Sequence, residues 1–130
     1  MTNNEVFTPI DYIKRLDKKF NSIHGPILDN CCGEGVWLKY AQDKGYSVWG
    51  CDISKENCIK TIKNLYGDGD IEYITGKDIP KIMKGPGLKG VFKLNDKLIT
   101  NIVCADSYKY EMNFNHEKQT IKFGHGLFEI

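Results

Sequence analysis

Three aspartates, Asp29, Asp52 and Asp106, each follow a short apolar run, and the first is followed by the glycine turn Asn30-Cys31-Cys32-Gly33-Glu34-Gly35. An apolar run ending in an acid reads as a buried strand that delivers a carboxylate to its carboxyl end. In an open parallel sheet that is where ligands sit, because loops from several strands converge there. Gly33 and Gly35 remove side chains where backbone must approach a ligand, and the N–H groups opening the next helix lie beside it. Asp52 comes 17 residues after Gly35, a suitable place for a carboxylate to accept two hydroxyl protons from a ribose, more strongly than a neutral side chain would. Strand, glycine loop, helix and second acid together point to an adenosine-containing ligand.

The elements that must position these residues are legible from pattern. Thr8 is a cap and Pro9 a first-turn residue for an amphipathic helix over 9–20, with Ile10, Ile13, Leu16 and Phe20 inward and Lys14, Arg15, Lys18 and Lys19 outward. A strand follows over 27–30, then the glycine loop and a helix over 35–44 closed by Gly45. Residues 46–52 alternate as a second strand. Ser54 caps the next helix, whose apolar face is Ile59, Ile62 and Leu65 and which Gly67-Asp68-Gly69 stops. This rhythm predicts parallel strands with right-handed crossovers.

Residues 76–90 mix Lys77, Lys81, Lys84 and Lys89 with Pro80, Pro86 and glycines, which predicts an irregular, solvated surface segment. Residues 91–94 and 97–100 form a hairpin around Asn95-Asp96. Its second arm runs on through 101–106 as a third strand. Alternating Tyr108, Tyr110, Met112 and Phe114, the polar turn 115–117 and the run 120–123 predict a terminal hairpin, with Leu127, Phe128 and Ile130 anchoring the end.

Composition narrows the function classes. The 130 residues fit one domain over 1–130, and a net charge of +1 gives no bulk attraction to nucleic acid or membrane, so any DNA binding needs a local patch. No apolar run approaches the ~18 residues of a membrane span, and the first residues lack a secretory pattern, which predicts a cytoplasmic protein with no membrane partner. Five cysteines, 31, 32, 51, 58 and 104, have no metal-ligand spacing and read as reduced, buried thiols; no metal is expected.

Two cofactor classes suit a glycine loop with a downstream acid. A dinucleotide site wants a third glycine where this chain has Leu38, and it gains nothing from Asp29 beside a pyrophosphate. S-adenosylmethionine carries a sulfonium and an amino group, both of which favour Asp29. Phe7-Thr8-Pro9, the Asp29–Gly35 loop, Asp52-Ile53 with Asn57, and Ala105-Asp106-Ser107 resemble, in order, the first four motifs of adenine-N6 amino-group DNA methyltransferases, over about residues 5–110. That family usually has D-P-x-C-G-x-G in its loop. Here Asn30 replaces the proline, while Cys32, Gly33 and Gly35 match.

The resemblance implies a partial Rossmann-like methyltransferase fold of the α/β class: a parallel sheet core, flanking helices and the C-terminal β-hairpin. It implies that Phe7 and Thr8 contact the methionine end of S-adenosylmethionine and that Asp29, Cys31, Cys32, Gly33 and Gly35 wrap it. It also implies that Asp52 holds the ribose hydroxyls, Ile53 packs on the adenine and Asp106 accepts from the adenine amino group.

The family's catalytic N/D-P-P-Y/F/W loop has no counterpart, because Pro9, Pro26, Pro80 and Pro86 include no adjacent pair and 24 residues follow Asp106. No catalytic residue is assigned. Three readings follow: a truncated, cofactor-binding methyltransferase-like protein that is a partner subunit for a separate catalytic chain or a remnant; a small enzyme that transfers the cofactor's methyl group or cleaves it; and a non-enzymatic interaction protein on the same fold. A half-sheet leaves an edge that either the C-terminal hairpin or another chain must cover, so self-association is also expected.

Overall fold

In a computed structural model, residues 10–20, 26–29, 32–114, 119–122 and 127–129 are described. The chain runs α1 (Ile10–Phe20), β1 (Ile27–Asp29), α2 (Val36–Asp43), β2 (Val48–Asp52), α3 (Lys55–Tyr66), β3 (Ile71–Ile74), β4 (Leu88–Leu94), β5 (Lys97–Ala105), β6 (Glu111–Phe114), β7 (Gln119–Lys122) and β8 (Leu127–Glu129). Two single 3₁₀ turns, Gly76–Asp78 and Lys81–Met83, connect β3 to β4.

Six strands form one mixed sheet in the order β3-β4-β5-β2-β1-β8. β1, β2 and β5 are parallel, whereas β4 runs against β5, β3 against β4 and β8 against β1. The architecture is therefore α/β with a parallel centre and antiparallel flanks. β6 pairs with β7 as a separate antiparallel hairpin. It starts at Glu111, so Tyr108 and Tyr110 lie in the preceding turn and not on its face. No described helix is long and apolar enough to cross a membrane.

Strand alternation sorts the core into two layers. Ile27, Val48, Phe92, Ile102 and Cys104 face α2 and α3, packing with Leu38, Ala41, Cys58, Ile62 and Leu65. Leu28, Trp49, Cys51, Val91, Val103 and Ala105 face the other way, onto Ile74, Ile79, Met83 and Tyr110. Both helices share one face because β1-α2-β2 and β2-α3-β5 step in the same direction along the sheet with the same hand. α1 contacts α2, with Ile13 fully buried.

The 3₁₀ segment corrects the expectation of a purely solvated stretch over 76–90. Its lysines are exposed, but Ile79 and Met83 are 7% exposed and close the second core layer. Tyr110 locks it there: its hydroxyl donates to the Met83 carbonyl at 2.7 Å. β3 was not anticipated either. It extends the hairpin whose turn residues Asn95 and Asp96 have φ 49° and 67°, the left-handed pair that a two-residue hairpin loop requires.

Candidate functional site

Register decides which acids meet. Asp29 lies opposite Gly50, and Asp52 lies opposite Cys104. Asp52 therefore stands two residues beyond Asp29, and Asp106 two beyond Cys104, so the three acids climb the carboxyl edge of three adjacent parallel strands. Asp29, Gly50 and Asp52 share the helix-bearing face, by alternation with Leu28, Trp49 and Cys51. Asp29 and Asp52 are 7% and 6% exposed. Phe7, Thr8, Asn30 and Cys31 lie outside the described residues.

The glycine loop is built by close approach. Gly33 and Gly35 have φ 55° and 83°, a region costly for side chains with a Cβ. A Cβ on Gly35 would stand 2.7 Å from Thr61 Cγ2 of α3, and one on Gly50 2.7 Å from Leu38 Cδ1 of α2. Gly50 thus lets α2 seat directly on β2, the packing role for which a third loop glycine is wanted in dinucleotide sites. Helix α2 begins at the loop with Gly35 as a cap that has no side chain to offer its first-turn amides.

Side chains from β2 and α3 hold the loop. Asp52 accepts the Gly33 N–H at Oδ2 (3.0 Å) and the Ser54 N–H at Oδ1 (2.8 Å). Thr61 Oγ1 donates to the Gly33 carbonyl at 2.9 Å, and Asn64 Nδ2 to the Glu34 carbonyl at 2.7 Å. The Cys32 N–H donates to the Cys51 carbonyl at 3.0 Å, and the Gly35 N–H to the Cys32 carbonyl at 2.7 Å. Sequence reasoning assigned Asp52 to an external ligand and did not anticipate its part in the loop. Nor did it find Thr61 and Asn64, whose three-residue spacing places two polar side chains on one side of α3, the available signal.

Beside this loop the residue after Asp52 is open. Ile53 follows the buried Asp52, yet its side chain is 61% exposed. Ser54 caps α3 by accepting the Asn57 N–H at 3.2 Å, which fixes the turn on which Ile53 rides. Asp106 is half-buried. Its Oδ1 accepts the Tyr108 N–H at 3.0 Å, and its own N–H donates to the Gly87 carbonyl at 2.8 Å, so the loop before β4 supports the acid after β5. Tyr108 is 60% exposed at the same edge.

Thiols lie directly under this edge. Burial, with the Asp29 carboxylate next, pushes the Cys32 thiol well above the ordinary range, so Cys32 is a packing residue at neutral pH. Cys58 Sγ donates to the Val103 and Asp52 carbonyls at 3.3 and 3.5 Å, and Cys104 Sγ to the Ile53 carbonyl at 3.4 Å. Among the described residues no group of three or more His, Cys, Asp or Glu side chains is arranged to hold a metal ion. The edge can therefore offer carboxylates to hydroxyl or amino donors, backbone to a close-lying ligand and an apolar side chain to a flat ring. No family model, curated protein or solved structure matches the chain.

Proposed function

We propose that this chain is an S-adenosylmethionine-binding domain of the DNA methyltransferase-like class, with a partial Rossmann-like fold, acting in the cytoplasm. The observation that carries the reading is the edge of β1, β2 and β5, where the acids, the loop and exposed Ile53 come together in the order their spacing predicts. Ligands of open α/β sheets bind outside the carboxyl ends of the parallel strands, the edge on which these residues lie.

The residues present fit the cofactor's groups. Asp29 suits its amino group and sulfonium. Asp52 already accepts two backbone N–H groups, but each carboxylate oxygen has a second lone pair, so ribose hydroxyls have acceptors on the residue that also holds the loop. Ile53 offers an apolar face to adenine, and Asp106 Oδ2 an acceptor to its amino group. When bound, the cofactor supplies an electrophilic methyl group on sulfur. This chain's residues bind and orient it.

Titration calorimetry with S-adenosylhomocysteine tests the reading. Wild type is expected to bind with one-to-one stoichiometry. Ile53→Ser should bind about tenfold more weakly, the equivalent of ~1.4 kcal/mol of lost apolar contact, at an unchanged melting temperature. No heat from folded wild type, or equal affinity in the variant, would overturn the assignment. Labelled S-adenosylmethionine separates the accompanying readings: retention without turnover fits a binding module, breakdown without DNA fits a cleaving enzyme, and label on DNA fits a transferase.

A further inference from the structure

Behind the candidate edge lies a pair of thiols that the cofactor reading leaves without a task. Cys58 is in the first turn of α3 and Cys104 near the end of β5, and they are 0% and 1% exposed. Cys58 Sγ reaches the carbonyl of Val103, the residue just before Cys104, and also that of Asp52, which lies opposite Cys104 in the sheet. Cys104 Sγ reaches the carbonyl of Ile53. Both sulfurs therefore occupy one gap between α3 and the β2/β5 pair. Their S–H groups hold the carbonyls of consecutive residues, Asp52 and Ile53.

We propose that Cys58 and Cys104 form a redox pair, oxidised to a disulfide by hydrogen peroxide, whose state sets the order of the Asp52–Ser54 edge. The coupling follows from the contacts. A disulfide removes the S–H donors to Asp52, Ile53 and Val103 and draws the first turn of α3 toward β5. Its effect on cofactor affinity rests on the function proposed above, whereas bond formation and edge loosening do not.

The two sulfurs differ as attacking and resolving thiols should. The Cys58 thiol, then the Tyr73 hydroxyl and the Lys89 cation, lower Cys104 against the opposing pull of its burial and of Asp52, while Cys58 is pushed up by Cys104 and by burial. The Cys104 thiolate attacks one peroxide oxygen, breaking the O–O bond and giving a sulfenic acid and hydroxide, which takes up a proton. The Cys58 sulfur then displaces the sulfenic hydroxyl as water, its own proton completing that water. The dithiol loses two electrons and two protons, and hydrogen peroxide is reduced to two waters. Burial favours an oxidant the size of hydrogen peroxide over bulky disulfides.

The test treats the folded full chain with hydrogen peroxide, blocks remaining thiols with N-ethylmaleimide, and maps the cysteines by peptide mass spectrometry. A Cys58–Cys104 cross-linked peptide, reversed by dithiothreitol and abolished in Cys58→Ser, is expected, with the oxidation rate rising with pH. Amide hydrogen exchange at Ser54, the N–H held by Asp52, should quicken about tenfold in the oxidised protein. Free thiols in peroxide-treated native protein, or sulfinic acid at Cys104 without a link, would overturn the pair. A link with unchanged Ser54 exchange would overturn the coupling. Loss of S-adenosylhomocysteine binding on oxidation deepens the inference. Failure of the reduced protein to bind it refutes only the function proposed above.

Discussion

The two faces of the central sheet are buried to similar degrees but built differently. On the α2/α3 face, side chains tie backbone to backbone across long sequence distances, with Asp52 to Gly33, Thr61 to Gly33 and Asn64 to Glu34. On the opposite face Ile79, Met83 and Tyr110 supply apolar cover, joined by the hydroxyl bond to the Met83 carbonyl. The difference teaches where specificity is kept. One face defines the shape of a loop, while the other fills volume and tolerates irregular backbone as long as Ile79 and Met83 arrive inside.

Substitutions should separate the two. Gly35→Val combines a β-branched residue in left-handed backbone with a collision against Thr61, and a stability loss of about 3 kcal/mol in urea unfolding is expected, with ligand binding abolished. Ile79→Ala on the far face should cost about 2 kcal/mol through a cavity yet leave S-adenosylhomocysteine affinity unchanged in the folded fraction. Equal loss of affinity from both would erase the distinction between the faces.

Asp52→Asn keeps the shape but gives up two charge-assisted bonds, so about 1.5 kcal/mol of stability and most of the ligand affinity should go together. Tyr110→Phe should cost about 1 kcal/mol and no affinity. It also carries a pH signature. Burial pushes the Tyr110 phenol up to about 12 from an ordinary 10. Its raised value favours the folded state fully below pH 10, and that contribution fades as pH rises through about 12. Wild type should lose stability across that window more steeply than Tyr110→Phe, as followed by circular dichroism.

Much of the frame was legible because local signals agreed: Ser54 as cap, Asn95-Asp96 as turn, Ile59-Ile62-Leu65 as a helix face, and apolar runs ending in Asp29, Asp52 and Asp106. β3 was missed because four residues bounded by glycine and polar positions carry too little period to identify, and their partner β4 lies well downstream. Ile79 and Met83 were lost to the surface because they stand among Pro80, Pro86, glycines and exposed lysines, in single turns too short to show a period. The hold of Asp52 on the loop was unreadable for another reason. An acid at a strand end shows its type, but its contact with Gly33, 19 residues away, is a property of the packed loop.

β5 has a kinetic consequence. Its first residues pair with β4 across a two-residue turn, whereas Gly50 and Cys51 meet Ile102 and Val103 about fifty residues along the chain. A hairpin of this kind closes in about 1–10 μs, and long-range parallel pairing waits on far costlier loop closure. The β4-β5 ribbon is expected to form first and to serve as the template on which β2 docks. The acid-bearing edge is then among the last parts of the molecule to assemble, so slowing that docking would delay the appearance of the site while most secondary structure is already present.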